Sequence, residues 1–70
     1  MEDYRIRTTK KLIRESLIRL LEKKPINKIT VTELCTECEI NRATFYRYYE
    51  DVYDLLDQLE KQLVLELKNG

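Results

Sequence analysis

The chain has 70 residues, its 13 Lys and Arg are balanced by 13 Asp and Glu, and it contains no His and no Trp. This length accommodates one small domain, and the lack of His removes the usual general acid–base and the commonest metal ligand. No apolar run approaches the roughly 18–20 residues that cross a bilayer, and the N-terminus lacks the apolar segment of a signal peptide. We therefore expect a soluble, cytoplasmic, mostly helical chain without a membrane partner.

The zero net charge is the average of two oppositely charged parts. Residues 1–49 carry eleven basic and seven acidic side chains (net +4), and residues 50–70 carry two basic and six acidic ones (net −4). Segment 5–14 contains five bases and no acid: Arg5, Arg7, Lys10, Lys11 and Arg14. Such a run is more often a solvated helix face than a binding site. The charge pattern alone therefore favours a solvated face.

The first predicted element is an amphipathic helix between residues 9 and 24, which Pro25 separates from the next segment. Its apolar stripe consists of Ile13, Leu17, Leu20 and Leu21. Lys10 and Lys11 would stand beside the positive end of the helix macrodipole, where cations are mildly unfavourable. This position favours a role for both lysines other than stability.

Two short helices are predicted next. Thr30 and Glu33 have the spacing of a capping box, in which Thr30 caps the amide of Glu33 and the Glu33 side chain reaches back. A helix over about 31–38 follows, and a three-residue turn leads to Asn41, a good N-cap for a helix over about 42–48. Two short helices joined by a tight turn after a longer helix predict a helix-turn-helix.

A fourth helix completes the predicted fold. Asp51 is its expected N-cap, and Asp54 adds a favourable negative charge to its first turn. One stripe carries Val52, Leu56, Leu59, Leu63 and Leu67, with Leu55 beside it. We therefore predict an all-α fold, a three-helix, homeodomain-like helix-turn-helix bundle plus a fourth connecting helix.

The third helix has a predicted outward face. Phe45 and Tyr49 lie four residues apart and would be buried, so Ala43, Thr44 and Arg47 would point the opposite way. Such a face fits a DNA major groove, because Arg can bridge O6 and N7 of guanine and a methyl group can contact thymine. The same residues also suit a merely solvated surface, and the pattern alone leaves both interpretations open.

A longer stretch resolves this ambiguity. Residues 29–56 (ITVTELCTECEINRATFYRYYEDVYDLL) strongly resemble the DNA-binding domain of the TetR (TetR/AcrR) family of bacterial transcriptional regulators. The most specific part is the segment 41–46 (NRATFY), followed by an aromatic pair and then by residues 54–56 (DLL). With the first helix included, the resemblance extends over about residues 9–60.

The resemblance implies a role for individual residues. The base-facing positions of the recognition helix, about 42–48, would be Arg42, Ala43, Thr44 and Arg47. The phosphate-contacting positions would be Thr32, Tyr46 and Tyr48. In this family the N-terminal arm and the start of the first helix often lie near DNA, which would account for Arg5, Arg7, Lys10 and Lys11.

The resemblance also implies partners and domain organisation. Residues 1–50 would be the basic arm and DNA-binding domain, and residues 51–70 the fourth helix leading to a C-terminal domain that this chain lacks. TetR-like proteins bind double-stranded, pseudo-palindromic operators as homodimers, typically as repressors. Dimerisation and small-molecule effector binding belong to that C-terminal domain. We therefore expect the 70 residues to be part of a longer protein, with a naturally short protein as the alternative.

Three positions depart from the family pattern. Glu39 stands where the family commonly has Gly in the turn, so a residue with a Cβ would adopt a positive φ at a cost of roughly 1–2 kcal/mol. Val52 replaces a frequent Lys that reaches phosphate, so one DNA anchor is expected to be missing. Tyr48 replaces a frequent His, which keeps a polar tip but changes its reach.

Other candidate sites carry less weight. Cys35 and Cys38 form a C-x-x-C pair without the further ligands of a zinc site or the βαβ context of a redox motif. We interpret them as reduced core cysteines, and expect no metal, no cofactor and no enzymatic activity. An alternative function is that of a helical protein–protein interaction module, because Leu63, Val64 and Leu67 extend the apolar stripe beyond the reach of the other helices.

Overall fold

The computed structural model describes residues 4–69, which form four α-helices and one short 3-10 helix. The helices are α1 (Tyr4–Leu21), α2 (Val31–Cys38), α3 (Arg42–Tyr48) and α4 (Val52–Asn69), and the 3-10 helix spans Ile26–Lys28. Residues 4–69 contain no strand. The predicted all-α fold is thereby confirmed, with the bounds of α2 and α3 as predicted. None of these helices combines the length and apolar character that spanning a membrane requires.

One hydrophobic core joins all four helices. The apolar side chains that are fully inaccessible to solvent are Ile13, Leu17, Leu34, Phe45 and Leu55. The remaining buried apolar residues are Leu20, Ile29, Cys35, Tyr49, Val52 and Leu59. Burying a large apolar side chain contributes about 1.5–3 kcal/mol, so this shared core fixes the orientation of the short helices.

The first helix begins earlier and ends earlier than predicted. α1 starts at Tyr4 rather than near residue 9, and no Gly or Pro interrupts residues 4–8. The prediction of a basic arm is therefore wrong for Arg5 and Arg7, which lie on α1, and residues 1–3 lie outside the described residues. Lys10 and Lys11 lie beyond the first turn, so the macrodipole argument does not apply to them.

The capping box of α2 is half formed. The Glu33 N–H donates to Thr30 Oγ1 at 3.1 Å, as predicted. The Glu33 carboxylate does not reach back, because its Oε2 binds the Lys24 ammonium and its Oε1 is buried without a hydrogen-bond partner. A second ion pair joins Arg19 Nε to Glu37 Oε1 at 3.0 Å. These two pairs tie the C-terminal end of α1 to α2.

The turn between α2 and α3 adopts the predicted left-handed conformation at Glu39, with φ 58° and ψ 41°. The Ile40 N–H donates to the Cys35 carbonyl at 3.0 Å and the Glu39 N–H to the Thr36 carbonyl at 3.4 Å. This pair of bonds is a Schellman motif, which satisfies carbonyls at the end of α2.

The predicted N-caps of α3 and α4 are confirmed. Asn41 Oδ1 accepts the Thr44 N–H at 2.8 Å. Asp51 Oδ1 accepts the Asp54 N–H at 2.7 Å, and Asp54 Oδ2 accepts the Glu50 N–H at 2.9 Å. Each N-cap therefore fixes the backbone of the short connection before its helix. The direction of that helix follows from this geometry.

The C-terminal half of α4 projects from the core. Val52, Leu55 and Leu59 are buried, whereas Leu63 and Leu67 are 50% and 82% exposed. The prediction that the stripe continues beyond the cover of the other helices is confirmed.

We predict that Glu39→Gly raises the free energy of unfolding by about 1 kcal/mol, because Gly adopts a positive φ without the Cβ penalty. Glu39→Ala is the matched control, since it removes the carboxylate and keeps the Cβ. Urea denaturation of both variants measures the effect. An equal change in the two variants would show that the carboxylate, not the backbone, is responsible.

Candidate nucleic-acid interface

The recognition-helix candidate α3 is held by one aromatic face. Phe45 is fully buried and Tyr49 is 4% exposed. Their ring centroids lie 5.6 Å apart, and the Tyr46 ring meets Phe45 edge to face at 5.5 Å. Aromatic contacts of this geometry contribute about 0.5–1.5 kcal/mol beyond the area that they bury. The predicted buried face of α3 is therefore present.

The opposite face of α3 is open to solvent. Arg42, Ala43 and Arg47 are exposed, which agrees with the predicted outward face. Thr44 is half-buried, and its hydroxyl donates to Asn41 Oδ1 at 3.0 Å. Arg47 and Ala43 therefore share an accessible helix face, and Arg42 adds a second exposed guanidinium from the first turn of α3. Accessible Arg and small side chains are what direct reading of base edges requires.

The two tyrosines assigned to the DNA backbone differ in their surroundings. Tyr46 is 52% exposed, whereas Tyr48 is half-buried and its ring lies 5.6 Å from the Lys10 ammonium. This distance is within the range of a cation–π contact. Tyr48 therefore connects the end of α3 to α1. Thr32, the remaining predicted phosphate contact of α2, lies exposed in the first turn of that helix.

The predicted basic residues of α1 form a cationic surface. Arg5, Arg7 and Lys11 are exposed and Lys10 is half-buried. Arg14 was not among the predicted site residues, yet it lies with Arg7 and Lys10 along one side of a cavity of about 350 Å³. The helical spacing of positions 7, 10 and 14 is the signal that could have placed Arg14 with the other two.

Arg14 is half-buried and lies near the Tyr49 hydroxyl. Burial raises the pKa of that hydroxyl above its ordinary value, and the positive charges of Arg14 and Lys10 oppose this rise. The Asp54 carboxylate contributes a smaller upward shift. The tyrosine that buries α3 therefore also lies beside a cation of α1.

The two cysteines lie on α2 without a disulfide. Cys35 is buried in the core, and burial, reinforced by the neighbouring Cys38, raises the pKa of its thiol. The Cys38 Sγ–H donates to the Leu34 carbonyl at 3.3 Å. These environments suit packing rather than nucleophilic chemistry. Within residues 4–69, no group of three or more His, Cys, Asp or Glu side chains could hold a metal ion.

Comparison with known proteins shows a similarity to a helix-turn-helix transcriptional regulator. The chain is 30% identical over 58 residues to a protein of Bacillus subtilis (strain 168) described as "Uncharacterized HTH-type transcriptional regulator YxbF". The aligned segment covers 83% of this chain and 14% of that relative, so the chain spans about one seventh of the relative's length. No protein-family model and no solved structure matches the chain.

The raised pKa of Tyr49 predicts a pH dependence of stability. The folded state holds the phenolic proton more tightly than the unfolded state, so this contribution is complete below the ordinary tyrosine pKa of about 10 and is lost as the pH rises through the folded pKa. Urea unfolding across about pH 8–11 should show a steeper loss for the wild type than for Tyr49→Phe.

Tyr53→Phe is the matched control, because Tyr53 is 56% exposed. It should retain the wild-type pH slope. A Tyr49→Phe variant with the same slope as the wild type would contradict the assigned environment of Tyr49.

Proposed function

We propose that this chain is the DNA-binding helix-turn-helix of a TetR-like transcriptional regulator. The observation that carries the proposal is the exposed surface of α3, where Ala43 and Arg47 lie opposite the buried anchors Phe45 and Tyr49, and where Arg42 is exposed in the first turn. The similarity to an HTH-type transcriptional regulator supports DNA binding in general. The resemblance of residues 29–56 to the TetR family supports the finer assignment.

In the proposed mode, α3 enters the major groove. Arg42 and Arg47 read guanine edges, and the methyl groups of Ala43 and Thr44 contact thymine. The bond from Thr44 Oγ1 to Asn41 Oδ1 uses the hydroxyl proton within the cap, which leaves the Thr44 methyl group as the base-reading feature that we assign to this residue.

The phosphate contacts of the proposal come from three elements. Thr32 supplies a hydroxyl from the start of α2, and Tyr46 supplies one beside α3. Arg5, Arg7, Lys10 and Lys11 of α1 add cations, which bind phosphate with release of counterions. The contact of Lys10 with the Tyr48 ring indicates that Tyr48 also orients a phosphate-binding cation.

The longer protein and its setting are part of the same proposal. We infer a repressor that binds a pseudo-palindromic operator in the cytoplasm as a homodimer, with dimerisation and effector binding in a C-terminal domain outside this chain. The proposed role is binding rather than catalysis. A single head binds weakly, since linking two heads raises affinity through effective concentration.

A selection experiment tests the base-reading assignment. Duplexes are selected by the chain from a random library at low salt, and binding to the selected site is compared with binding to a scrambled one. Arg42→Ala and Arg47→Ala should each cost about 1–3 kcal/mol on the selected site and relax its sequence preference, because a bidentate guanine contact is lost.

Lys28→Ala is the control, because this exposed cation lies in the 3-10 helix, outside α3. If the Arg42 and Arg47 variants bind the selected site as well as Lys28→Ala does, the groove-reading assignment is wrong.

The exposed apolar residues of α4, including Leu63 and Leu67, favour a second candidate function as a protein–protein interaction module. The selection experiment separates the two functions. Absence of duplex binding at low salt would favour the interaction module, and sequence-dependent binding would favour the DNA-binding domain.

The phosphate assignment predicts a different signature for α1. Lys11→Gln should weaken binding similarly for all duplex sequences and reduce the slope of log affinity against log salt by about one, because one phosphate contact is lost. Lys68→Gln, near the end of α4, should leave the slope unchanged. An altered sequence preference with an unchanged slope would contradict the phosphate role of Lys11.

A further inference from the structure

A cleft between α1 and α4 is lined entirely by side chains that can donate hydrogen bonds. Its cavity of about 350 Å³ is lined by Arg7, Lys10, Arg14, Tyr49, Gln58 and Gln62. Every one of these side chains can donate a hydrogen bond, and none carries a carboxylate. The cleft therefore presents positive charge and donors from two helices to a single space.

Two of the three cations lie against the end of α3. Arg14 is half-buried and its charge acts on the nearby Tyr49 hydroxyl, and the Lys10 ammonium lies 5.6 Å from the centroid of the Tyr48 ring. Ordering a long side chain on binding costs free energy, so a cation that already packs against its neighbours binds an anion more tightly.

Neighbouring charges leave the cleft cationic. The Asp54 carboxylate lies next to it, where it accepts hydrogen bonds from the Glu50 N–H at 2.9 Å and from Gln58 Nε2 at 3.3 Å. A second cavity, at the N-terminal part of α1, shares Arg7 and Arg14 and adds Lys11. Arg7, Lys10, Lys11 and Arg14 thus line two adjoining cavities beside the Asp54 carboxylate, which two donors engage.

Another surface cavity provides a contrast within the same molecule. It is lined by Lys23 and Lys24 together with Glu33, Glu37 and Glu39, and Lys24 is paired with Glu33. Mixed charges that compensate each other are typical of structural ion pairs. The α1–α4 cleft lacks this compensation among its lining residues.

From this arrangement we propose that the α1–α4 cleft is a phosphate-binding site in which Arg14, Arg7 and Lys10 hold the anion and Gln58 and Gln62 donate to its oxygens. Guanidinium and amide donors match the tetrahedral oxygens of a phosphate group. The phosphate belongs either to a nucleic-acid backbone or to a free phosphorylated compound. The site lies outside the exposed face of α3 and does not require that α3 reads bases.

The test uses the 70-residue chain and inorganic phosphate at constant ionic strength, with sodium chloride as the balancing salt. Backbone amide shifts are followed by ¹⁵N-resolved NMR. We expect saturable shifts around residues 7–14, 49 and 58–62. Arg14→Gln should weaken binding about fivefold or more, because a charge-assisted hydrogen bond is lost.

Gln62→Glu is the second variant. It places a carboxylate in the cleft and leaves Arg7, Lys10 and Arg14 unchanged, and it should weaken binding similarly. Lys28→Gln changes the net charge by the same amount away from the cleft and should alter affinity by less than about twofold, because a distant charge is screened. The absence of saturable shifts at these residues, or an equal loss in Lys28→Gln, would overturn the proposal.

A competition experiment identifies the source of the phosphate. If random-sequence duplex and inorganic phosphate exclude each other from the cleft, the site holds a backbone phosphate. If the chain binds both at once, the site serves a free phosphorylated compound. Either result upholds a phosphate site. Because Arg42→Ala and Arg47→Ala leave the cleft intact, failure of base reading and failure of this site are separately observable.

Discussion

The burial of Phe45 and Tyr49 is the constraint on which the rest of this structure depends. α3 has seven residues, too few for a helix to persist on its own hydrogen bonds, because isolated helices shorter than about 12 residues are marginal in water. Its conformation is therefore imposed by its apolar face and its caps. The same burial determines the exposed face, since on a helix the residues opposite two buried positions four apart must face solvent. The orientation of Ala43 and Arg47 is thus a consequence of packing.

Much of this arrangement could be predicted from local sequence signals. The caps Thr30, Asn41 and Asp51 each place a side-chain oxygen three residues before the amide that it accepts, so the starts of three helices were readable from the sequence. The left-handed turn at Glu39 was found only through the family resemblance, because the residue itself gives no such signal. The start of α1 was predicted wrongly, since the apolar stripe that marks this helix in the sequence begins only at Ile13, whereas the helix already includes Tyr4.

Interactions between distant residues could not be predicted in the same way. The sequence places Glu33 in a capping box, but a lysine nine positions earlier takes its carboxylate. In the sequence Arg14 is one base among five, and its proximity to the hydroxyl of Tyr49 depends on how α1 packs beside the end of α3. Such pairings are decided by the packing of helices against one another, for which a single sequence contains no local pattern. The candidate base-reading face could be predicted, whereas the cleft could not.

The zero net charge of the chain is a poor guide to its partners because of the distances involved. The molecule extends over 33 × 27 × 18 Å, whereas salt screens exposed charges beyond about 8 Å at physiological ionic strength. An anion at α1 or α3 therefore responds to the cations within that range, and the acidic residues farther along α4 are screened from it. A tyrosine pair at the end of α3 lies beside this positive charge, since the Tyr48 ring contacts Lys10 and the Tyr49 hydroxyl lies near Arg14. The core that orients the exposed face of α3 thus also gathers the charge beside it, so the two candidate binding surfaces have a common structural origin.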